Sequence, residues 1–165
     1  MPSSNQSMRT EIPHQRMRIS SLRELDALVG TRVTHETPLT QWVESSTNAL
    51  YPTVEEAMEA LQDPNFRHMK RADDQEGSTV LTEVKEFRRY TRNLDAAWDV
   101  VEQLGNSGEA LVLHRDGEHW VATFGTGGVV ESPSAPLAIS VAALLARGLE
   151  LDLDASLHSR VRIRR

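Results

Sequence analysis

The chain contains no cysteine among its 165 residues. This absence excludes disulfides, thiolate metal ligands and thiol catalysis, and it favours a protein of the reducing cytoplasm. Long apolar runs are missing as well, since none approaches the roughly 20 residues that a membrane-spanning helix needs. Residues 1–20 lack the hydrophobic core of a signal peptide. We therefore expect a soluble, cytoplasmic protein without membrane contact.

The charge of the chain is unevenly distributed. The net charge is −6, with +2 in residues 1–20 and +4 in residues 155–165, which leaves −12 for residues 21–154. An acidic body repels the phosphates of nucleic acids, so nucleic-acid binding would have to use the basic end of the chain. The alternative, which we favour, is that this end is solvated or folds back on the protein's own acidic surface. Its basic residues are Arg160, Arg162, Arg164 and Arg165.

The composition, with 39% hydrophobic residues, is sufficient for one globular core. Residues 1–19 are polar and have no hydrophobic period, which is typical of a mobile arm. Residues 20–154 are interpreted as a single domain, and residues 155–165 as a basic tail. A capping box at Ser21 opens the first short helix, and Gly30 is expected to end it.

Residues 34–89 have the weakest pattern and are interpreted as an insertion. A second capping box, at Thr53, predicts a helix over residues 54–61. Residues 79–89 fit both helical spacing and strand alternation, and their β-branched residues favour a strand. Function could reside in this insertion or in the two basic ends.

Residues 90–147 have the clearest pattern, which is an amphipathic helix, a three-stranded antiparallel meander and a second, more apolar helix. The first helix is expected to end at Gly105-Asn106 and to bury one apolar face. Trp98 on that face is interpreted as a core anchor rather than as a platform for a ligand. The apolar residues of the face are Leu94, Ala97, Trp98, Val101 and Leu104.

The Asp-Gly dipeptide at residues 116–117 signals a two-residue hairpin turn. The register that follows sets His114 opposite His119 and places apolar side chains on both faces of the sheet. Two apolar faces need two covers. We therefore predict an α+β fold in which helices cover both faces of an antiparallel meander sheet.

Four segments carry a resemblance to a known family. They are, in order, LRELDALVG, YTRNLDAAWDVVEQL, a hairpin that contains Trp120, and APLAISVAALLA. Together they resemble the phage ABA sandwich domain of small tailed-phage and prophage proteins, over most of residues 20–149. The resemblance implies an α-β-α sandwich encoded by a phage and located in the host cytoplasm. The family has no established general activity, so the resemblance supplies no catalytic or binding residues.

No arrangement of residues predicts catalysis. His114 and His119 could supply two ligands of a metal site, but Glu118 points to the other face and a third ligand would have to come from outside the hairpin. Surface histidines on strands are the plainer interpretation. We expect no metal, no cofactor and no enzymatic activity.

The leading hypothesis is a non-catalytic accessory protein that binds a host or phage protein or its own copies. One alternative is a small-ligand binder that sequesters a nucleotide-like signal with Arg88, Arg89 and Arg92 and the helix N-terminus near Thr91. The other alternative is nucleic-acid binding through the arginine-rich tail.

Overall fold

The computed structural model describes residues 16–44, 48–62 and 81–164. Within these ranges the helices are α1 Leu22–Val29, α2 Val54–Gln62, α3 Leu94–Asn106, α4 Ala135–Ala146 and α5 Ala155–His158. The strands are β1 Arg16–Ile19, β2 Leu39–Glu44, β3 Leu50–Tyr51, β4 Leu81–Glu86, β5 Leu111–Asp116, β6 His119–Phe124, β7 Val129–Ser132, β8 Glu150–Leu153 and β9 Arg162–Arg164. The predicted α+β class is confirmed.

The strands form three sheets. The main sheet has the order β5-β6-β7-β9 and is antiparallel throughout, which confirms the predicted meander. The insertion sheet, β3-β2-β4, is antiparallel. The main contacts of its strands are with one another and with α2. The third sheet pairs β1 with β8 in parallel. Strand β4 confirms the strand interpretation over Leu81–Glu86, while residues 79–80 lie outside the described residues. Helix α2 confirms the helix predicted over residues 54–61.

Helix α1 begins at the predicted capping box. The Ser21 hydroxyl accepts a hydrogen bond from the Glu24 N–H at 3.2 Å. In return, the Glu24 carboxylate accepts from the N–H and the hydroxyl of Ser20 at 2.8 and 2.6 Å. Two backbone N–H groups, those of Ser20 and Glu24, thereby gain acceptors at the start of the helix.

Helix α1 ends at Val29 with Gly30 as its C-cap, as predicted, but Gly30 does not adopt the expected left-handed conformation. Its φ is −56°, and the chain continues through a π-helical turn, Gly30–Thr34, that ends where His35 adopts a φ of +53°. Gly30 has a packing role instead, because a Cβ at this position would lie 2.3 Å from Cδ1 of Phe87. The glycine therefore lets the Phe87 ring lie directly on the helix backbone.

Helix α4 is the centre of the core. Its residues from Leu137 to Leu144 are all buried. On one side α4 packs against β6 and β7, and on the other side it packs against α1 and α3. The small side chains of Ala138, Ala142 and Ala143 let these neighbours approach closely.

Helix α3 is rotated relative to the prediction. It buries Ala96, Ala97, Val100 and Leu104, whereas Leu94 is 52% exposed and Trp98 is 50% exposed. The interpretation of Trp98 as a core anchor was therefore wrong. Both sides of the helix are apolar in sequence, and the side with the smaller residues is the one that packs inside.

The hairpin register is displaced from the prediction by two residues. Gly117 and Glu118 occupy the turn, and Gly117 has a φ of +59°, as the first central residue of a type II′ turn requires. His119 consequently lies opposite Asp116, and His114 lies opposite Val121. The two histidines remain on one face but are not opposite each other.

The two faces of the main sheet differ in burial. Ala122 and Phe124 face α4 and are fully buried. On the opposite face Val121 is 8% exposed, but Val112, which was expected to be covered, is 57% exposed. Helix α4 therefore covers one face of the main sheet at β6 and β7, and the opposite face is open at Val112 of β5.

Both ends of the domain extend further than predicted. Residues 16–19, which were assigned to the mobile arm, form β1, and residues 1–15 lie outside the described residues. The tail, residues 155–165, contains α5 and β9. Because β9 pairs with β7, the predicted tail is an edge strand of the main sheet.

Candidate functional site

A cleft of about 350 Å³ lies where α1, β4 and the turn before α3 meet. We call it the cationic cleft, because four basic side chains from these three segments line it: Arg23, Lys85, Arg89 and Arg92. Phe87 and Ala27 provide an apolar part of the wall, and three acidic residues contribute as well: Glu24, Asp26 and Glu86. Its volume lies within the range of small-molecule sites.

Asp26 is the structural centre of this cleft. It is 3% exposed, and its Oδ1 accepts a hydrogen bond from the Thr91 N–H at 2.7 Å. Its Oδ2 lies 3.5 Å from Nη2 of Arg92. A buried carboxylate thus connects α1 to the turn before α3 and holds one side of a guanidinium that is half-exposed.

The four residues predicted to bind a ligand are separated by the fold. Arg89 and Arg92 line the cationic cleft. Arg88 points elsewhere and forms a salt bridge with Asp99 of α3. Thr91 is 1% exposed, and its hydroxyl has no hydrogen-bond partner among the described residues, so it belongs to the wall behind the cleft.

Sequence reasoning missed Arg23 and Lys85. Arg23 lies in the first turn of α1, and Lys85 lies near the end of β4, so both are distant in sequence from the Arg89–Arg92 pair. The alternation of residues along β4 indicates which face of the strand Lys85 lies on, and Lys85 pairs with Thr40 in the insertion sheet. This alternation does not indicate which other segment of the chain packs beside that face.

Some charged side chains of the cleft have hydrogen-bond or salt-bridge partners among the described residues, and others have none. Glu24 is held by the N–H and hydroxyl of Ser20, and these hydrogen bonds lower the pKa of its carboxyl group. Asp26 is paired with Arg92. Within the described ranges, the remaining cations of the cleft, Arg23, Lys85 and Arg89, form no salt bridge. Three basic side chains therefore line the cleft without a carboxylate partner in the described part of the chain.

A second polar cluster surrounds Tyr90, which is 1% exposed. Its hydroxyl donates a hydrogen bond to the Glu36 carboxylate and lies 2.9 Å from the hydroxyl of Thr34. Burial, and next the hydrogen bond to Glu36, raise the pKa of Tyr90 to about 12. The cluster fixes the end of the π-helical turn to the segment before α3, so its role is structural.

This cluster predicts a late ionisation of Tyr90 in alkaline solution. Because its folded-state pKa of about 12 exceeds the ordinary value of 10.0, its contribution to stability is complete below pH 10 and is lost as the pH rises through 12. Ultraviolet absorbance of tyrosinate measures the ionisation. Tyr90→Phe should remove the late phase and keep the signal of Tyr51, and a late phase that persists in this variant would refute the assignment.

The histidine pair lies on the outer face of the β5–β6 hairpin. His114 and His119 are exposed on the outer face, and His119 shares a shallow pocket with His158 and Glu131. Across the described parts of the chain, there is no group of three or more side chains that could hold a metal ion.

The arginine-rich end is partly neutralised. Arg164 lies 2.6 Å and Arg162 lies 3.8 Å from the carboxylate of Glu131 on β7. Arg160 lines the shallow pocket beside His119, and Arg165 lies outside the described residues. Two of the four arginines thus bind the protein's own acidic surface, in agreement with the favoured interpretation of the tail.

The exposed side of α3 is the second candidate surface. Leu94 and Trp98 are one helical turn apart, so their half-exposed side chains share a face, with Val101 partly buried beyond them. We call these three residues the α3 stripe. The helix that carries it is firmly capped, because the Asn93 side chain accepts hydrogen bonds from the N–H groups of Asp95 and Ala96.

The layered α+β fold, with its antiparallel meander packed on an apolar helix, defines the class of protein. Comparison with protein families gives the particular family: the model of the Phage ABA sandwich domain matches residues 27–144. The chain belongs to this family, and the resemblance seen in the sequence is confirmed. Comparisons with curated proteins and with solved structures found no match. Among the described helices, none has the length and apolar character needed to cross a membrane.

Proposed function

We propose that this phage-family protein is a non-catalytic accessory protein, which acts in the host cytoplasm by binding a basic host protein through the α3 stripe. The observation that carries the proposal is the exposure of Trp98, at 50%, on a capped helix. Tryptophan is enriched among the residues that dominate the binding energy of protein interfaces. A half-exposed tryptophan next to a half-exposed leucine leaves apolar area that a partner can remove from water.

The charges around the stripe favour a basic partner. Asp95 and Glu102 are exposed on α3 beside the stripe. Residues 21–154, which include α3, carry a net charge of −12. Acidic residues around an apolar centre attract a partner whose own rim is basic and increase the rate of association.

The same charges disfavour self-association through this surface. A symmetric dimer brings the same patch of both copies together. Asp95 and Glu102 of one copy would then approach their equivalents in the other, and like charges across an interface are repulsive. A host protein is therefore a better occupant of the stripe than a second copy.

The experiment is affinity capture from host lysate with matched alanine variants. Leu94→Ala and Leu50→Ala remove the same side chain at similar exposure, 52% and 57%, but only Leu94 belongs to the stripe. We expect Trp98→Ala and Leu94→Ala to lower the affinity for a stoichiometric partner by about tenfold or more. Leu50→Ala should leave this affinity unchanged. The partner should be basic and should dissociate more readily at high salt.

Two results would contradict the proposal. One is that every captured protein is retained equally by Trp98→Ala. The other is a concentration-dependent dimer in sedimentation analysis that Trp98→Ala abolishes, since this would assign the stripe to self-association.

A further inference from the structure

The cationic cleft has an arrangement that partner binding through α3 does not explain. Four basic side chains from α1, β4 and the turn before α3 line it beside three acidic ones, although residues 21–154 carry a net charge of −12. On a surface with this charge, a concave site lined by four basic side chains requires a separate explanation. We infer that the cleft binds a small phosphate monoester whose remaining part carries hydrogen-bond donors and an apolar or aromatic group.

The phosphate is assigned to the cations that have no carboxylate partner among the described residues. Within the described ranges, Arg23, Lys85 and Arg89 form no salt bridge, yet they line one cleft. Guanidinium groups bind phosphate oxygens with paired hydrogen bonds, and an ammonium group adds a point charge. Their convergence gives a dianionic group several donors at once.

Asp26 makes Arg92 a pre-organised member of this set. The carboxylate is fixed by the Thr91 N–H at 2.7 Å and is 3% exposed, so it cannot follow a moving arginine. It contacts the guanidinium at 3.5 Å through a single nitrogen, while 49% of the Arg92 side chain stays exposed. The other donors of the guanidinium have no partner among the described residues, so a ligand can use them, and less conformational entropy is lost when they bind it.

The rest of the wall defines the rest of the ligand. Glu24 and Glu86 are acceptors, which suit hydroxyl or amino groups and oppose a ligand that is anionic throughout. Phe87 is held against the backbone of Gly30 and presents a fixed, partly exposed aromatic surface. A volume of about 350 Å³ suits one small molecule and excludes a folded macromolecule.

The test uses adenosine 5′-monophosphate and adenosine as matched probes of the full chain, measured by calorimetry. We expect the monophosphate to bind about tenfold or more tightly than the nucleoside, with an affinity that falls as salt is added. In a nuclear magnetic resonance titration, the backbone amides of Ala27 and Thr91 should shift with the monophosphate.

The matched variants are Arg89→Glu and Arg32→Glu. Both residues are exposed and both changes lower the net charge equally, but Arg32 does not line the cleft. Arg89→Glu should lower the affinity for the monophosphate by about tenfold or more, and Arg32→Glu should leave this affinity nearly unchanged. Circular dichroism establishes that both variants are folded.

The inference would be overturned by any of three results. The first is that the wild-type protein binds neither probe at millimolar concentration. The second is that the two probes bind with equal affinity. The third is that the two variants lower the affinity for the monophosphate to the same extent. None of these results depends on the α3 stripe, so the failure of one proposal is distinguishable from the failure of the other.

Discussion

Replacing Phe124 by alanine is expected to lower the free energy of unfolding by about 3 to 5 kcal/mol. Phe124 is fully buried at the end of β6, on the face of the main sheet that packs against α4. It lies opposite Leu111, and α4 is buried along almost its whole length, so the surrounding residues have little freedom to fill the cavity. The cavity should therefore stay largely open, and the free energy of unfolding should fall by most of this amount.

Trp98→Ala is the matched comparison for this prediction. It removes a larger aromatic side chain, but Trp98 is 50% exposed, and we expect a loss of about 1 kcal/mol or less. Denaturant unfolding of both variants measures the difference. Equal losses would show that Trp98 is part of the core after all.

Replacing Asp26 by alanine is expected to lower the free energy of unfolding by about 2 to 3 kcal/mol. The change leaves the buried N–H of Thr91 without its acceptor, and it removes the link between α1 and the turn before α3. The lost contact with Arg92 adds little, because that side chain is half-exposed and is hydrated once it is released.

Two further variants separate the hydrogen bond from the charge. Asp26→Asn keeps an oxygen acceptor for the Thr91 N–H, so its loss should be about 1 kcal/mol. Arg92→Ala should cost about 1 kcal/mol or less. If Asp26→Asn were as damaging as Asp26→Ala, the charge and not the acceptor would be the stabilising feature.

The candidate site was only partly predictable. Arg89 and Arg92 were identified because they are close together in the sequence, and the fold does bring them into one cleft. Arg88 was placed with them by the same proximity, but it pairs with Asp99. Proximity in sequence gives no information on the direction of a side chain in an irregular turn, which depends on what packs around it.

The errors in the fold have a similar origin. The observed hairpin register differs from the predicted one by two residues, and the same residues share a face in both. The reason is that a shift by two residues keeps the alternation of a strand. It changed only the partners, such as His119 with Asp116. The rotation of α3 was not predictable, because both of its sides are apolar and the choice depends on how closely α4 can approach.

The sequence by itself determined the local features of this protein: the capped start of α1, the meander, the apolar α4 and membership of the Phage ABA sandwich domain family. Each depends on residues that are neighbours in the chain. Only the tertiary structure decided which face of α3 is exposed, how the arginine-rich end is held, and which cations share a cleft. Those outcomes depend on contacts such as that between Asp26 and Thr91, which are 65 residues apart, and the energy of such a contact exists only once the chain has folded.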